Sequence, residues 1–233
     1  MAFALVANVQ KTGGAGGGTT AAIDTTGADL IVIHASRGNA NGSALTVSDS
    51  KGNTYTSIIG ITEPAVGDGM RSELYYCASP IVGAGHTFTT AGTSVYPTVG
   101  VQAWSGAHAT PLDQSNAAEA GGTTQQPGSI TPTQNNELIV TGLHSHSAAG
   151  ADSIDSGFTI SDSAVFGAAD HYNGGMAYLV QGAAAAVNPT WSNANSTQKN
   201  ATIASFKSAA GGGWVVGAGL TNSPLLHRRS LAA

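Results

Sequence analysis

The feature that most constrains the fold is a series of short segments rich in Val, Ile, Thr and Tyr, separated by clusters of Gly, Asn, Asp and Ser. No segment repeats apolar residues at i, i+3, i+4 and i+7 over three turns, so long amphipathic helices are not indicated. Many short strands with regular turn signals favour an all-β chain, and specifically an antiparallel, jelly-roll-like β-sandwich. The predicted strands are Leu30–Ala35, Leu45–Val47, Thr54–Ile61, Glu73–Cys77, Phe88–Thr90, Thr98–Trp104, Glu137–Leu143, Phe158–Ile160, Met176–Val180 and Ala201–Phe206.

A weak internal repeat predicts two similar halves, residues 29–107 and 137–209. The halves are either two domains of about 100 residues or two parts of one sandwich, and we favour one sandwich over residues 1–210. About five strands in each half leave a hydrophobic face that needs a partner. The polar segment 106–129 is expected to be a crossover connection. The matching blocks begin at Asp29 and Glu137, at Leu45 and Phe158, at Glu73 and Gly175, and at Ala103 and Ser205.

Charge is scarce in this chain, and that limits its partners. Charged residues make up 9% of the sequence, against about 25% in an average globular protein. With Lys and Arg together numbering 8, a basic stripe for nucleic acid is not expected. No apolar run is long enough to span a membrane as a helix, and the first ten residues do not resemble a secretory signal peptide. Surfaces that subunits bury are poor in charge, so we expect a homo-oligomer.

The C-terminal segment departs from the strand pattern. Gly211-Gly-Gly is followed by an apolar, mildly basic peptide, and we predict that residues 211–233 form a Gly-tethered assembly arm. The arm residues expected to contact a neighbouring subunit are Trp214, Val215, Val216, Leu220, Leu225, Leu226, Arg228 and Arg229.

Histidines give the strongest hint of a metal site, but the pattern is incomplete. His144 and His146 are two residues apart near the end of a strand, so both imidazoles point to one face, and His34 lies near them if the halves pair. A jelly-roll metal site of the cupin type requires a Glu a few residues later, and Ser147-Ala-Ala-Gly follows instead. We therefore predict no metal and no cofactor.

Catalytic constellations are not recognisable either, so the sequence predicts no enzyme. Glu73 is an isolated acid on its strand, whereas glycoside hydrolysis requires two facing carboxylates. Asp49 and Asp162 occupy matching Ser-Asp-Ser sequences, where a carboxylate typically accepts backbone N–H groups of a turn. Ser105 lacks a Gly-x-Ser-x-Gly context, and Cys77 is expected to be a small buried apolar residue.

Aromatic residues fall into two groups. Trp104 and Phe206 take matching places in the two halves and are expected in the core, because large aromatic rings dominate core burial. Trp191, in the loop-like Asn188-Pro-Thr-Trp sequence, and Tyr172 are the candidate glycan contacts if their rings are exposed.

A family resemblance accompanies these patterns. The succession Asp-Leu-Ile-Val-Ile from residue 29, Leu-Thr-Val-Ser-Asp-Ser-Lys-Gly-Asn-Thr-Tyr from residue 45, Leu-Tyr-Tyr-Cys from residue 74 and Ala-Trp-Ser-Gly from residue 103 resembles a β-sandwich of tailed-phage virion proteins. The same sandwich occurs in some bacterial surface proteins. The C-terminal Gly-Leu-Thr-Asn-Ser-Pro-Leu-Leu-His-Arg-Arg-Ser-Leu is similar to short ends of phage structural proteins.

The resemblance implies a structural role in a virion. A capsid decoration or head-fibre subunit is expected, with a tail component as a near alternative. Such a subunit is made in the bacterial host cytoplasm, assembles into the extracellular particle, and contacts other copies and the major capsid or tail protein. A second hypothesis is a carbohydrate-binding module or adhesin that uses Trp191 and Tyr172. A third is a jelly-roll hydrolase with an unrecognised site.

Overall fold

The computed structural model describes residues 2–12, 17–38, 45–62, 69–91, 95–146, 152–166 and 172–209. It has 69% strand and no helix in this described part, which confirms the predicted all-β class. The strands are β1 (Ala4–Thr12), β2 (Gly17–Thr19), β3 (Leu30–Gly38), β4 (Thr46–Asp49), β5 (Thr56–Thr62), β6 (Arg71–Ala78), β7 (Phe88–Ala91), β8 (Val95–Ser105), β9 (Ala107–Gln125), β10 (Glu137–His146), β11 (Ser153–Ile154), β12 (Thr159–Phe166), β13 (Tyr172–Gln181) and β14 (Trp191–Ser208).

Two main antiparallel sheets share one strand order. The first, called sheet I, has the order β1-β8-β3-β6-β5. The second, called sheet II, has the order β9-β14-β10-β13-β12, and β11 pairs with the start of β14. Leu30 of β3 pairs with Trp104 of β8, and Leu138 of β10 pairs with Phe206 of β14. The two pairs therefore occupy the same place in the two sheets.

A small third sheet, with the order β2-β7-β4, covers sheet I. It has a counterpart in the second half, where Trp191 of β14 pairs with Gln125 of β9 on one side and with Ile154 of β11 on the other. The isolated β-bridge Ile23–His86 in the first half likewise corresponds to the isolated β-bridge Ile130–Val187 in the second half.

This correspondence corrects one block of the sequence repeat. Leu45–Ser50 was matched with Phe158–Ser163, but β4 lies in the small sheet and β12 lies at the edge of sheet II. The structural counterpart of β4 is β11, because each follows the central strand of its half and covers that sheet. Asp49 at the end of β4 thus corresponds to Asp155 after β11, and the shared Ser-Asp-Ser letters do not mark equivalent positions.

The core consists of three layers, and this explains the continuous apolar sequences of the central strands. Every residue of β3 is buried, because one face of sheet I contacts sheet II and the other contacts the small sheet. Trp104, Phe206 and Leu138 lie in the cluster between the main sheets. Ile31 and Phe88 belong to the layer under the small sheet, and the third layer lies on the outer face of sheet II.

Three core expectations are confirmed by burial. Trp104 is 1% exposed and Phe206 is fully buried, and both lie among the largest buried side chains. Cys77 is also buried, with a free thiol. The ring of Trp104 meets the ring of Tyr178 edge to face, at a centroid distance of 4.8 Å. Aromatic contacts from both sheets therefore join the two layers.

The edges of the two main sheets meet, which makes the sandwich nearly a closed barrel. Asn8 of β1 donates to the Asp162 carboxylate of β12 at 2.7 Å, and Gln10 donates to the carbonyl of Gly174 at 2.6 Å. Asp162 follows a bulge in β12 and accepts this side-chain amide. The expected role for Asp162, a turn carboxylate that accepts backbone N–H groups, is therefore wrong.

Two edge strands were not expected from the sequence. β9 occupies 19 residues of the segment that was predicted to be a crossover connection, and β1 was not predicted at all. Small residues such as Ala117, Ala118 and Gly121 give β9 no apolar alternation. Pairing with β14 supplies its backbone hydrogen bonds, so tertiary contacts form this strand against a weak local preference.

The core assignment predicts a large loss of stability on removal of either central ring. We expect Trp104→Ala and Phe206→Ala each to lower the free energy of unfolding by about 3–5 kcal/mol, because each leaves a cavity between the sheets. Chemical denaturation measures the effect, with Ile81→Ala as the control, since Ile81 is 61% exposed. Losses as small as that of the control would contradict the assignment.

Candidate functional site

The space between the main sheets changes from apolar to polar along β3. Alternate residues of β3 face sheet II, and after Leu30 and Val32 these are His34 and Ser36. We call the polar half the histidine cluster. Its members are His34, Ser36, Ser72, Thr98 and His144.

Hydrogen bonds connect the histidine cluster across both sheets. His34 Nε2 lies 2.6 Å from Ser72 Oγ. Ser36 Oγ lies 2.5 Å from Thr98 Oγ1 and 3.0 Å from Nδ1 of His144, which also lies 3.1 Å from the carbonyl oxygen of Asn173. These bonds satisfy groups that would otherwise be costly to bury.

Glycines of sheet II make room for the histidine cluster. A Cβ atom at position 142 would collide with the ring of His34. Gly142 is therefore required on β10 opposite His34, because any larger residue would separate the two sheets. The sequence Thr141-Gly-Leu thus has a packing role.

Burial keeps both inner imidazoles neutral. Desolvation, together with the nearby His144, lowers the pKa of His34 to about 3. Desolvation lowers the pKa of His144 to about 4, although its bond to the Asn173 carbonyl opposes the change. The two rings thus lie close together in uncharged form near neutral pH.

Ser36 and His144 form a hydroxyl–imidazole pair, the beginning of a nucleophile–base arrangement. Both residues are fully buried, and Nε2 of His144 has no hydrogen-bond partner among the described residues. A nucleophilic hydroxyl must reach its substrate, and its imidazole is normally oriented by a third group. The pair therefore serves the protein's own packing in this conformation.

His146 lies at the outer end of the same strand. Its ring stacks with Tyr172 at 4.8 Å, and His144 stacks with Tyr172 at 5.6 Å. Both imidazoles contact this phenol ring, and within the described ranges no group of three or more His, Cys, Asp or Glu is placed to hold a metal.

A second polar cluster lies under the small sheet, around Asp49. The Asp49 carboxylate accepts from Tyr55 Oη at 2.5 Å and Asn53 Nδ2 at 2.7 Å, and lies 3.0 Å from His86 Nε2. The other ring nitrogen of His86 lies 2.9 Å from Thr25 Oγ1. Asp49 also accepts the backbone N–H groups of Lys51 and Asn53, which confirms its expected turn role.

The order Asp49–His86–Thr25 matches the order of a carboxylate–imidazole–hydroxyl triad. Thr25 and His86 are fully buried, and Thr25 Oγ1 also accepts the N–H of Gly83. Burial alone would raise the pKa of Asp49, but hydrogen bonds from Tyr55, Asn53 and His86 lower it to about 2. The cluster therefore fixes a carboxylate that fastens the turn after β4 to the segment before β7.

The candidate glycan contacts are not exposed. Trp191 opens β14, is fully buried, and donates from its indole nitrogen to Thr141 Oγ1 at 3.0 Å. Tyr172 is 3% exposed. The condition for a glycan contact, an exposed ring, is therefore not met, because the Trp191 side chain packs in the third core layer.

The other sequence candidates also have internal partners. Glu73 is buried and pairs with Arg71 at 3.0 Å. Ser105 Oγ lies 3.5 Å from the carbonyl of Ala4. All eight predicted contacts of the assembly arm, Trp214, Val215, Val216, Leu220, Leu225, Leu226, Arg228 and Arg229, lie outside the described residues.

Two open grooves lie side by side on the surface. One open groove of about 470 Å³ is lined by residues that include Glu119, Thr124 and Thr190. A neighbouring groove of about 450 Å³ is lined by small polar residues such as Ser153 and Asn193. Among the described residues, no helix could cross a membrane.

The sequence placed His34 near His144 if the two halves pair, and the two rings do lie close together. It indicated neither the hydroxyl groups around them nor the Asp49 cluster. His34 and Ser36 continue the period-two positions of Leu30 and Val32, so the alternation itself placed them on the inner face. Nothing in the sequence paired Asp49 with His86, which is 37 residues away, because that contact depends on the small sheet.

Comparison with known proteins gives no relative. No family model matches the chain, and no curated protein or solved structure matches it either. Any function must therefore be argued from the residues and the fold.

The histidine cluster predicts acid sensitivity. Because the folded-state pKa values of His34 and His144 lie below the unfolded value of 6.5, their contribution is complete above pH 6.5 and is lost as the pH falls towards 4. At pH 5 we expect a loss of about 4 kcal/mol from the two together. Denaturation curves at several pH values measure it, and His144→Asn should reduce the slope by roughly half, because Asn does not become charged. A parent protein of constant stability from pH 7 to 5 would refute the prediction.

The contribution of Asp49 to stability is also lost on acidification, but in a lower pH range. Its contribution is present above the unfolded pKa of 3.8 and is lost as the pH falls through about 2. Asp49→Asn should therefore cost about 2 kcal/mol at pH 7, and much less near pH 2. Asp24→Asn is the control, because Asp24 is an exposed turn carboxylate. Equal losses for both variants at pH 7 would show that the buried network adds nothing.

Proposed function

We propose that this protein is a non-enzymatic structural subunit of a phage virion, with capsid decoration or head fibre as its position. The proposal rests on the positions of the side chains that could act in catalysis. The described candidates for catalysis, including Ser36, His144, Asp49 and Glu73, are engaged in internal networks. The resemblance of the strand sequences to virion sandwich proteins supplies the biological setting.

The exposed part of the long edge strand suits contact with other subunits. β9 exposes His108, Ala109 and Thr110 near its start, and Glu119, Ala120 and Gly121 near its end. Small, mostly uncharged side chains lose little solvation when another protein covers them. Low charge over the whole chain extends the same argument to the rest of the surface.

The last described residue, Ala209, lies beside this strand. Its N–H donates to the carbonyl of Gly106 at 2.8 Å, directly before β9. We propose that residues 211–233, which follow in the sequence, bind a neighbouring copy or the major capsid or tail protein. The site of action is then the extracellular particle, after synthesis in the bacterial host cytoplasm.

The carbohydrate-binding alternative loses its main support in this fold. Sugar binding typically uses an exposed aromatic face, and the rings of Trp191 and Tyr172 are buried. No described contact favours that function over an assembly role. Glycan-dependent quenching of tryptophan fluorescence in the purified protein would reverse this preference.

A truncation tests the assembly role. Ending the chain after Ala210 should leave a folded sandwich with the melting temperature of the parent, because the core is complete at Phe206 and the last described hydrogen bond is at Ala209. The full chain should form trimers or larger assemblies in light scattering, and the truncated chain should be monomeric. Mass spectrometry and cryo-microscopy of purified particles should then locate the full chain in the virion.

Two results would contradict this proposal in different ways. If the truncated chain assembles as the parent does, the arm is not the assembly element. If the full chain is a monomer that purified particles never contain, the virion role is wrong. A matched variant, Trp214→Ala in the full chain, separates loss of the anchor side chain from loss of the whole segment.

A further inference from the structure

Three adjacent strands of sheet II bring oxygen atoms together at the end of the sandwich opposite the histidine cluster. Asp113 lies on β9, Ser205 on β14 and Glu137 on β10. Ser205 pairs with Ile139, two residues after Glu137, and Leu112 pairs with the neighbouring Phe206. The three side chains therefore meet across the sheet although their sequence positions are far apart.

The loop before β10 holds the two carboxylates next to each other. Thr133 donates its backbone N–H to Asp113 Oδ2 at 2.8 Å and its hydroxyl to Asp113 Oδ1 at 2.9 Å. The next backbone N–H, that of Gln134, donates to Glu137 Oε1 at 3.1 Å. Because consecutive amides bind the two acids, the carboxylates are fixed as neighbours.

Two buried oxygen atoms at this place lack a well-formed hydrogen bond. Glu137 and Ser205 are both fully buried. Glu137 Oε2 and Ser205 Oγ form no hydrogen bond of good geometry with any described residue, although Ser205 lies beside the Glu137 carboxylate. Buried oxygens without a hydrogen bond are uncommon in folded proteins, and a bound water or ion is one explanation for them.

The charges around Glu137 also favour a bound cation at this place. Burial raises the pKa of Glu137, and the neighbouring Asp113 raises it further. No cationic side chain forms a salt bridge with either acid in the described part of the chain. A bound cation would remove the repulsion between the two carboxylates and would use the unpaired oxygens.

We propose that Asp113, Glu137 and Ser205 form a binding site for one calcium ion. Calcium accepts carboxylate, hydroxyl and carbonyl oxygens together and tolerates irregular geometry, whereas magnesium requires near-ideal octahedral geometry. Two of the proposed ligands are acids, and the third is a hydroxyl group. Thr133 is exposed and Asp113 is partly exposed, which gives the ion access from solvent.

The site would join β9, β14 and β10 near the last described residue, Ala209. Calcium would thus stabilise the end of the sandwich from which the C-terminal segment continues. The inference does not depend on the virion role, since it concerns only ligand atoms within one chain.

Calcium titration of the full chain tests the site. After removal of metals with EDTA, isothermal calorimetry at pH 7.5 should show one calcium ion per chain. With about 5 mM calcium and a dissociation constant of about 0.5 mM, the melting temperature should rise by about 3–6 °C. The same concentration of magnesium should give a smaller rise.

Variants assign the effect to these ligands. Glu137→Gln should melt at a higher temperature than the parent without calcium, because the repulsion is gone, and should lose the calcium shift. Ser205→Ala keeps both carboxylates and should weaken calcium binding several-fold. Glu119→Gln, which removes an exposed acid from the same strand as Asp113, should keep the full shift.

Three outcomes would overturn the proposal. The first is no calcium binding by the parent at millimolar concentration. The second is an undiminished calcium shift in both Glu137→Gln and Ser205→Ala, which would place the ion elsewhere. The third is a parent that ignores calcium but loses stability as the pH rises through a raised Glu137 pKa, because the two acids would then share a proton instead.

Discussion

The structure depends on burial of the central strands β3 and β10 on both of their faces. A single sandwich layer would leave one face of each sheet in water, and the continuous apolar sequences Leu30–Ile33 and Leu138–Val140 forbid that. The small sheet covers sheet I, and the region around Trp191 covers sheet II. The fold therefore has three hydrophobic layers, and the third layer explains why Trp191 is in the core.

Two groups of buried polar side chains lie at opposite ends of the sandwich. At one end of the sandwich, His34 and His144 share the space between the sheets with Ser36. At the opposite end, Glu137 lies at the base of β10, where the outer face of sheet II meets the loop from Thr133. The first end holds neutral imidazoles and hydroxyl groups, whereas the second end holds two neighbouring carboxyl groups, Asp113 and Glu137. This contrast is why the first suggests packing and the second suggests a ligand.

The proposed assembly contacts and the proposed calcium site lie on the same side of the molecule. β9 is an edge strand, starts beside Ala209, and carries Asp113. A long edge strand with little apolar character is marginal on its own and gains order from contacts on either side. A neighbouring subunit and an ion at Asp113 would each supply such contacts, by independent interactions.

The sequence by itself determined the all-β class, the strands of the central sheets and the burial of Trp104, Phe206 and Cys77. These follow from local strand preference and apolar content, which act over a few residues. In the sequence, the candidate ligand Glu137 is recognisable only as the first residue of a repeated strand. Asp113 lies in a segment that was predicted to be a connection.

Only the tertiary structure decided the pairing of β9 with β14, the correspondence of β4 with β11 and the burial of Trp191. It also decided two side-chain contacts, that of Asp49 with His86 and that of Asp113 with Glu137. Each of these features depends on contacts between residues that are more than twenty positions apart in the sequence. Local sequence fixes which face a side chain occupies, but not which other strand lies opposite that face.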